Sequence, residues 1–156
     1  MSAEVVPDYR ELARRLAPAR AAGKSVALAN GCFDLLHVGH VRLLREARGH
    51  GDLLVVALNS DASARALKGE GRPWVPLAER MEVVAALGGV DFVTSFDEPT
   101  ASPLIDALRP EVQIKGTDRS PESVPEREQL ERHGGRIVIC GDPKTHSSTE
   151  LGRRVR

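Results

Sequence analysis

The chain has 156 residues, 41% of them hydrophobic and 28% charged, with 22 basic side chains balanced by 22 acidic ones. That length suits one compact domain whose core needs no disulfide or metal staple. The composition excludes a disordered tail, a collagenous repeat and a strongly basic nucleic-acid binder. With no net charge, any anion must be held by a local concentration of positive groups. Cys32 and Cys140 form no C-x-x-C pair, and no apolar run approaches the ~18 residues of a membrane span. The expectation is a reducing, cytoplasmic setting, with neither a membrane nor nucleic acid as partner.

Asp8 and Glu11 fit a capping box ahead of Leu12 and Leu16, predicting a helix over about 8–20 that Gly23 closes. Ser25 to Ala29 reads as a short buried strand ending at Asn30-Gly31. Val41, Leu43, Leu44 and Ala47 give a helix from about Gly39 to His50. Leu53 to Leu58 is apolar without alternation, the pattern of a parallel strand covered on both faces. Ser60 to Trp74 is small, polar and basic with Gly69, Gly71 and Pro73, and reads largely as a mobile loop. Beyond it the pattern predicts a helix over 77–87, a strand over 90–96, a short helix over 102–108 and a strand over 112–114 ending at Lys115-Gly116. A polar loop over 117–125, a helix over 126–133, a strand over 137–140 and a helix over 148–154 complete the chain.

Five short strands alternating with helices predict an α/β domain: a five-stranded parallel sheet, right-handed crossovers and helices on both faces. Residues 1–22 would form an N-terminal helix and 23–156 the core of a single domain. Ligands of such sheets bind beyond the carboxyl ends of the strands, where strand order reverses and helix N-termini converge.

The common phosphate loops are missing: there is no G-x-x-x-x-G-K-[ST], and no complete G-x-G-x-x-G. After the first strand comes His37-Val38-Gly39-His40 instead. Two histidines at i and i+3 can share one face of a helix's first turn, where backbone N–H groups already favour an anion; Gly39 permits close approach of a ligand to the backbone. Three readings stay open on the residues alone. One histidine caps while the other packs; or the pair binds zinc with Cys32 or Asp34; or both donate hydrogen bonds to a reacting phosphate.

The run Asn30-Gly31-Cys32-Phe33-Asp34-Leu35-Leu36-His37-Val38-Gly39-His40 resembles the signature of the H-x-G-H nucleotidyltransferase superfamily, in its cytidylyltransferase-like branch. Gly51-Asp52, Asn59-Ser60-Asp61, Leu67-Lys68-Gly69-Glu70-Gly71-Arg72-Pro73, Pro76-Leu77-Ala78-Glu79-Arg80-Met81 and Lys115-Gly116 are similar to the bacterial heptose 1-phosphate adenylyltransferases. The resemblance runs from about residue 8 to 152. It implies a Rossmann-like fold and transfer of AMP from ATP to a sugar 1-phosphate, with Mg²⁺ as cofactor. Because the family domain is often fused to a sugar kinase, a separate kinase is expected upstream here; relatives are often homodimers.

The resemblance also implies roles. His37 and His40, with Lys68, would act on the reacting phosphates. Gly31, Cys32, Phe33, Gly39, Lys115, Gly116 and Asp118 would hold the nucleotide, with Ser147-Ser148-Thr149 on its outer phosphates. Asp34, Asn59, Lys68, Arg72 and Arg80 would face the acceptor. Lys68 and Arg72 are alternatively solvated loop charges, Arg80 an ion-pair residue, and the serine run an ordinary N-cap. The family's K-G-G-D-Y is here Lys115-Gly116-Thr117-Asp118-Arg119, so base or sugar preference is open to change. Glycerol- and alcohol-phosphate cytidylyltransferases of the same branch often carry Arg shortly before S-T-T, where this chain has Asp142, which favours the heptose reading. A catalytically silent nucleotide-binding module is the non-enzymatic alternative.

Overall fold

The computed structural model describes residues 2–117, 120–142 and 148–155, with the backbone alone at Ser148. The chain runs β1 (Glu4–Asp8), α1 (Tyr9–Ala21), β2 (Val26–Gly31), α2 (Val38–Ala47), β3 (Leu53–Asn59) and α3 (Asp61–Lys68). It continues α4 (Leu77–Ala85), β4 (Phe92–Phe96), α5 (Ser102–Leu108), β5 (Val112–Lys115), α6 (Arg127–Arg132), β6 (Arg136–Ile139) and α7 (Ser148–Arg154). The six strands form one sheet in the order β1-β4-β3-β2-β5-β6, every neighbour parallel. The parallel α/β architecture is as expected, with one strand more than the five expected.

The additional strand is β1. Its sequence, Glu4-Val5-Val6-Pro7-Asp8, buries only Val6, so the apolar run that marks the central strands is absent. It pairs with β4 alone, and an edge position is where a proline without an N–H can sit. The second departure is α3. Residues 61–68, read as part of a mobile loop, form a helix whose first turn is capped by the Ser60 side chain accepting from the Ser63 N–H at 3.1 Å. The capping box expected at Asp8 is also half formed. Asp8 accepts from the Arg10 N–H, but the Glu11 carboxylate turns outward to Arg14 and Arg15.

Successive side chains of β2 and β3 go to opposite faces of the sheet and build two cores. Ala27, Leu54, Val56 and Leu58 face Leu44 and Ala47 of α2 and Met81 and Val84 of α4. Val26, Leu28, Val55 and Ala57 face Leu12 and Leu16 of α1, Leu104, Ile105 and Leu108 of α5, and Leu130 of α6. Central strands buried on both faces read as continuous apolar runs, which is why they were legible. From β2 the chain steps through β3 to β4, then returns past β2 to β5 and β6. Strand order therefore reverses between β2 and β5, where Ala29 lies opposite Ile114, and a crevice opens beyond their carboxyl ends.

Candidate active site

A cleft of about 390 Å³ occupies that crevice. Its centre is the turn from β2 into α2. Phe33 turns the chain in the left-handed region, at φ 49°, with its ring buried against His40 at a centroid distance of 5.2 Å. Such a conformation in a bulky residue costs about 1–3 kcal/mol and persists only where surrounding structure holds it. His37 is the N-cap of α2, and its Nδ1 accepts from the Gly39 N–H at 3.1 Å. The Nδ1 of His40 accepts in return from the His37 N–H at 3.2 Å. With Nδ1 of each neutral ring accepting, the ring proton belongs on Nε2. The two rings lie 4.1 Å apart, so the same capping box that starts the helix sets two Nε2–H donors beside its positive end.

This geometry weighs against the zinc reading. The Cys32 thiol donates to Asn59 Oδ1 at 3.6 Å, and burial pushes its pKa up despite nearby Lys68, Arg80 and Arg72. Asp34, 4% exposed, accepts from Arg72 Nε at 2.8 Å and from the N–H groups of Trp74 and Val75. Among the described residues the His/Cys/carboxylate group close enough to share an ion is Glu46, His50 and Cys140, with neither histidine of the pair in it. There burial, and secondarily Glu46, pushes the Cys140 thiol to about 11, which keeps it protonated and a poor ligand near neutral pH.

The far wall is built by the segment after α3. Asp34 pins it, and Arg72 spans it: Nε on Asp34, Nη1 on Thr149 Oγ1 at 2.9 Å, and the guanidinium over the Trp74 ring at 3.8 Å. Trp74 in turn packs on α7 at Gly152, where a Cβ would overlap the indole; even the third-nearest ring carbon, Cζ2, would lie 2.7 Å away. The helix carrying Thr149 is thus seated on an Arg72–Trp74 platform. Lys68, the exposed last residue of α3, also lines the cleft.

Gly31, Cys32, Phe33, Asp34, Gly39 and Asn59 line this cleft with the histidines, and so do Lys115 and Gly116 beyond β5. Arg80 does not. Its side chain is fully buried beneath the site, donating to the carbonyls of Val75, Cys32 and Asn59 and to Asp61 Oδ1 at 2.7–2.8 Å. It clamps the carboxyl ends of β2 and β3 to the start of α4. Asp118, Ser147 and the Ser148 side chain lie outside the described residues. Thr117, at the departure from the family's glycine, donates its hydroxyl to the Asp142 carbonyl at 2.7 Å, and Asp142 pairs with Arg42 at 2.6 Å.

Two features were not read from sequence. One is the Trp74–Gly152 seat, which depends on a contact across about eighty residues. The other is Glu126, in a stretch whose charge suggests solvent exposure. It is 6% exposed and lines the cleft; Oε1 accepts from the Ala101 N–H at 3.3 Å, and Oε2 is buried with no hydrogen-bond partner among the described residues.

An open parallel sheet, a reversal of strand order and a paired-imidazole helix start across one cleft from a threonine-bearing helix define an α/β protein with an anion-favouring crevice at its H-x-G-H turn. The model of the cytidylyltransferase-like family matches residues 28–151, and the chain belongs to that family. It is 48% identical over 152 residues to the bifunctional protein HldE of Syntrophotalea carbinolica, and 52% identical over 144 residues to that of Citrifermentans bemidjiense. Those alignments cover 97% and 92% of this chain but 30% of each relative; the chain spans under a third of the length of these curated relatives. Among solved structures, a lipopolysaccharide core biosynthesis protein from Thermoplasma volcanium shares 25% identity with a TM-score of 0.68, covering 78% of this chain and all of that one. Pantothenate synthetase from Thermus thermophilus, at 15% identity and a TM-score of 0.58 over 87% of this chain and 60% of its own, shares the fold. Among the described residues no helix is long and apolar enough to cross a membrane.

Proposed function

We propose that this chain is a nucleotidyltransferase unit that transfers AMP from ATP to a heptose 1-phosphate, giving ADP-heptose and pyrophosphate. The observation that carries the reading is the reciprocal cap of His37 and His40, which holds both imidazoles in the cleft wall at the anion-favouring end of α2. The similarity to bifunctional HldE proteins over nearly the whole chain supports the substrate class. A separate sugar kinase reaction would supply the acceptor.

A phosphate oxygen of the sugar phosphate attacks the α-phosphorus of ATP, the bond to the bridging oxygen breaks, and pyrophosphate leaves with the electron pair. The attacking oxygen is already ionised near neutral pH, so no side chain need remove a proton. What remains is alignment and charge stabilisation. His37 and His40 donate from Nε2 to oxygens that gain charge at the pentacoordinate phosphorus. Thr149, Arg72 and Lys68 lie along the path of the departing phosphates, and Lys115-Gly116 on the nucleoside side. Arg80 acts as a positioning residue.

The carboxylates at the centre of the cleft do not form a cage for Mg²⁺. Asp34 is saturated by Arg72 and two backbone N–H groups, and Asp142 is paired with Arg42. Mg²⁺ would arrive with the triphosphate, held by its oxygens and water, and neutralise their charge.

Pyrophosphate release from ATP, CTP and GTP, each crossed with heptose 1-phosphates and glycerol 3-phosphate, tests the reading. ATP with a heptose 1-phosphate should give the highest kcat/KM. Turnover confined to CTP with glycerol 3-phosphate, or none with any pair, would overturn it.

A further inference from the structure

The cleft extends along the sheet's carboxyl edge from β4 to β6, four strand intervals, or about 19 Å at ~4.8 Å each. The reaction proposed above uses its middle, at β2, and the arm toward β5 and β6. The other arm, lined by Asn59, Phe96, Pro99 and Thr100, has no assigned role beyond Asn59. Glu126 reaches into its wall. Although Glu126 follows β5 in sequence, its carboxylate is tied to Ala101, in the loop after β4.

A carboxylate oxygen taken out of water without a donor is a large penalty, and buried polar atoms in folded proteins are overwhelmingly paired. Oε2 of Glu126 meets that description among the described residues, in the wall of a cleft made to take a ligand. A carboxylate accepts and, when ionised, cannot donate, so the group it awaits must bring N–H or O–H. It also repels phosphate, which excludes the triphosphate and the reacting end of the acceptor. Of the neutral parts, the nucleoside is assigned to the Lys115-Gly116 side of the cleft, which leaves the hydroxyl-rich part of the acceptor for the arm toward β4.

Resting on the functional reading above, we propose that Glu126 is a specificity-determining residue for the acceptor: on binding, its carboxylate turns Oε2 out of the wall to accept from a hydroxyl of the sugar remote from the phosphate. A site built to pair a ligand hydroxyl rejects the analogue that lacks it, because its own buried group is then orphaned. The arm toward β4 thereby selects polyhydroxylated acceptors over alcohol phosphates with an apolar or cationic tail.

The test compares wild type with Glu126→Gln, which keeps the shape and an acceptor for the Ala101 N–H, and with Glu126→Ala as a second variant. Steady-state KM for heptose 1-phosphate and for ATP are measured separately, and acceptors lacking one hydroxyl at a time are run through both proteins. Melting temperatures identify any variant that fails to fold. The expected result is a rise in acceptor KM of about tenfold or more in Glu126→Gln, the scale of a lost hydrogen bond to a charged group, with ATP KM unchanged. One deoxy acceptor should be poor with wild type and lose nothing further with the variant. A rise in ATP KM instead, or no deoxy position whose penalty depends on residue 126, overturns the proposal. If wild type turns over no sugar phosphate, the functional reading itself fails and takes this inference with it; if wild type is active and the variant matches it, only the inference falls.

Discussion

Gly152→Ala separates the position of α7 from its stability. In an exposed helix interior the exchange would stabilise by about 1 kcal/mol, because alanine forms helix better than glycine. Here the new methyl enters the Trp74 indole, with Cζ2 2.7 Å away and two other ring carbons closer, whereas carbon atoms settle at about 3.5–4.0 Å. Helix or indole must give by about 1 Å. Overpacking of this size costs about 1–3 kcal/mol, so the net loss of stability should lie between none and about 2 kcal/mol. Activity should fall much further, by about 10- to 100-fold in kcat/KM, because a 1 Å misplacement of a phosphate-facing group is enough for a hundredfold loss, and Thr149 moves with α7 relative to Arg72. Pyrophosphate release and thermal melting measure the two effects side by side. Repeating the exchange in a Trp74→Ala background should abolish the additional loss. A Gly152→Ala protein that melts higher and turns over normally would show that the seat does not hold α7 as described.

His40→Ala should lower kcat by about 100-fold or more through loss of a transition-state donor; because Nδ1 also caps α2, stability should drop by about 1 kcal/mol, measured by denaturant titration. Arg80→Met keeps volume but orphans the three carbonyls and the Asp61 oxygen that the guanidinium serves. At about 1–3 kcal/mol for each buried group, it should cost about 4 kcal/mol or more, lowering Tm by about 10 °C or more in a chain of this size. Lysine should not rescue it, since one ammonium cannot serve a planar fork. Tyr9 is the chain's only tyrosine, and burial, with a 2.6 Å hydrogen bond to Glu98, pushes its pKa to about 12. Absorbance titration of tyrosinate should find its midpoint there in the folded protein and near 10 in denaturant. Because the folded value is the higher, this contribution to stability is complete below about pH 10 and is lost as pH climbs through 12; Tyr9→Phe should flatten that alkaline decline.

The central strands and the histidine turn were legible because their signals are local: continuous apolar runs at Val26 to Ala29 and Leu53 to Leu58, and a motif contained within eleven residues. β1 was hidden because an edge strand paired on one side needs no apolar run, and Val6 is its one buried residue. The α3 helix was hidden by Gly69, Gly71 and Pro73, which follow it and colour the whole segment; the Ser60 cap and the alanines at 62, 64 and 66 were the available signal. Arg80 illustrates a deeper limit. A charged residue on a short amphipathic helix reads the same whether it meets solvent or three buried carbonyls, because the distinction lies in where other strands end. Glu126 is the same case with the opposite sign.

The open sheet described above ends on one side at β1, and that margin governs how the molecule behaves in concentrated solution. An unpaired strand border is ordinarily a template on which further chains can stack into fibrils. Here an incoming chain would find only five residues to pair with and an acidic side chain at either end, Glu4 and Asp8. Brevity and acidic ends thus guard this border against runaway self-association.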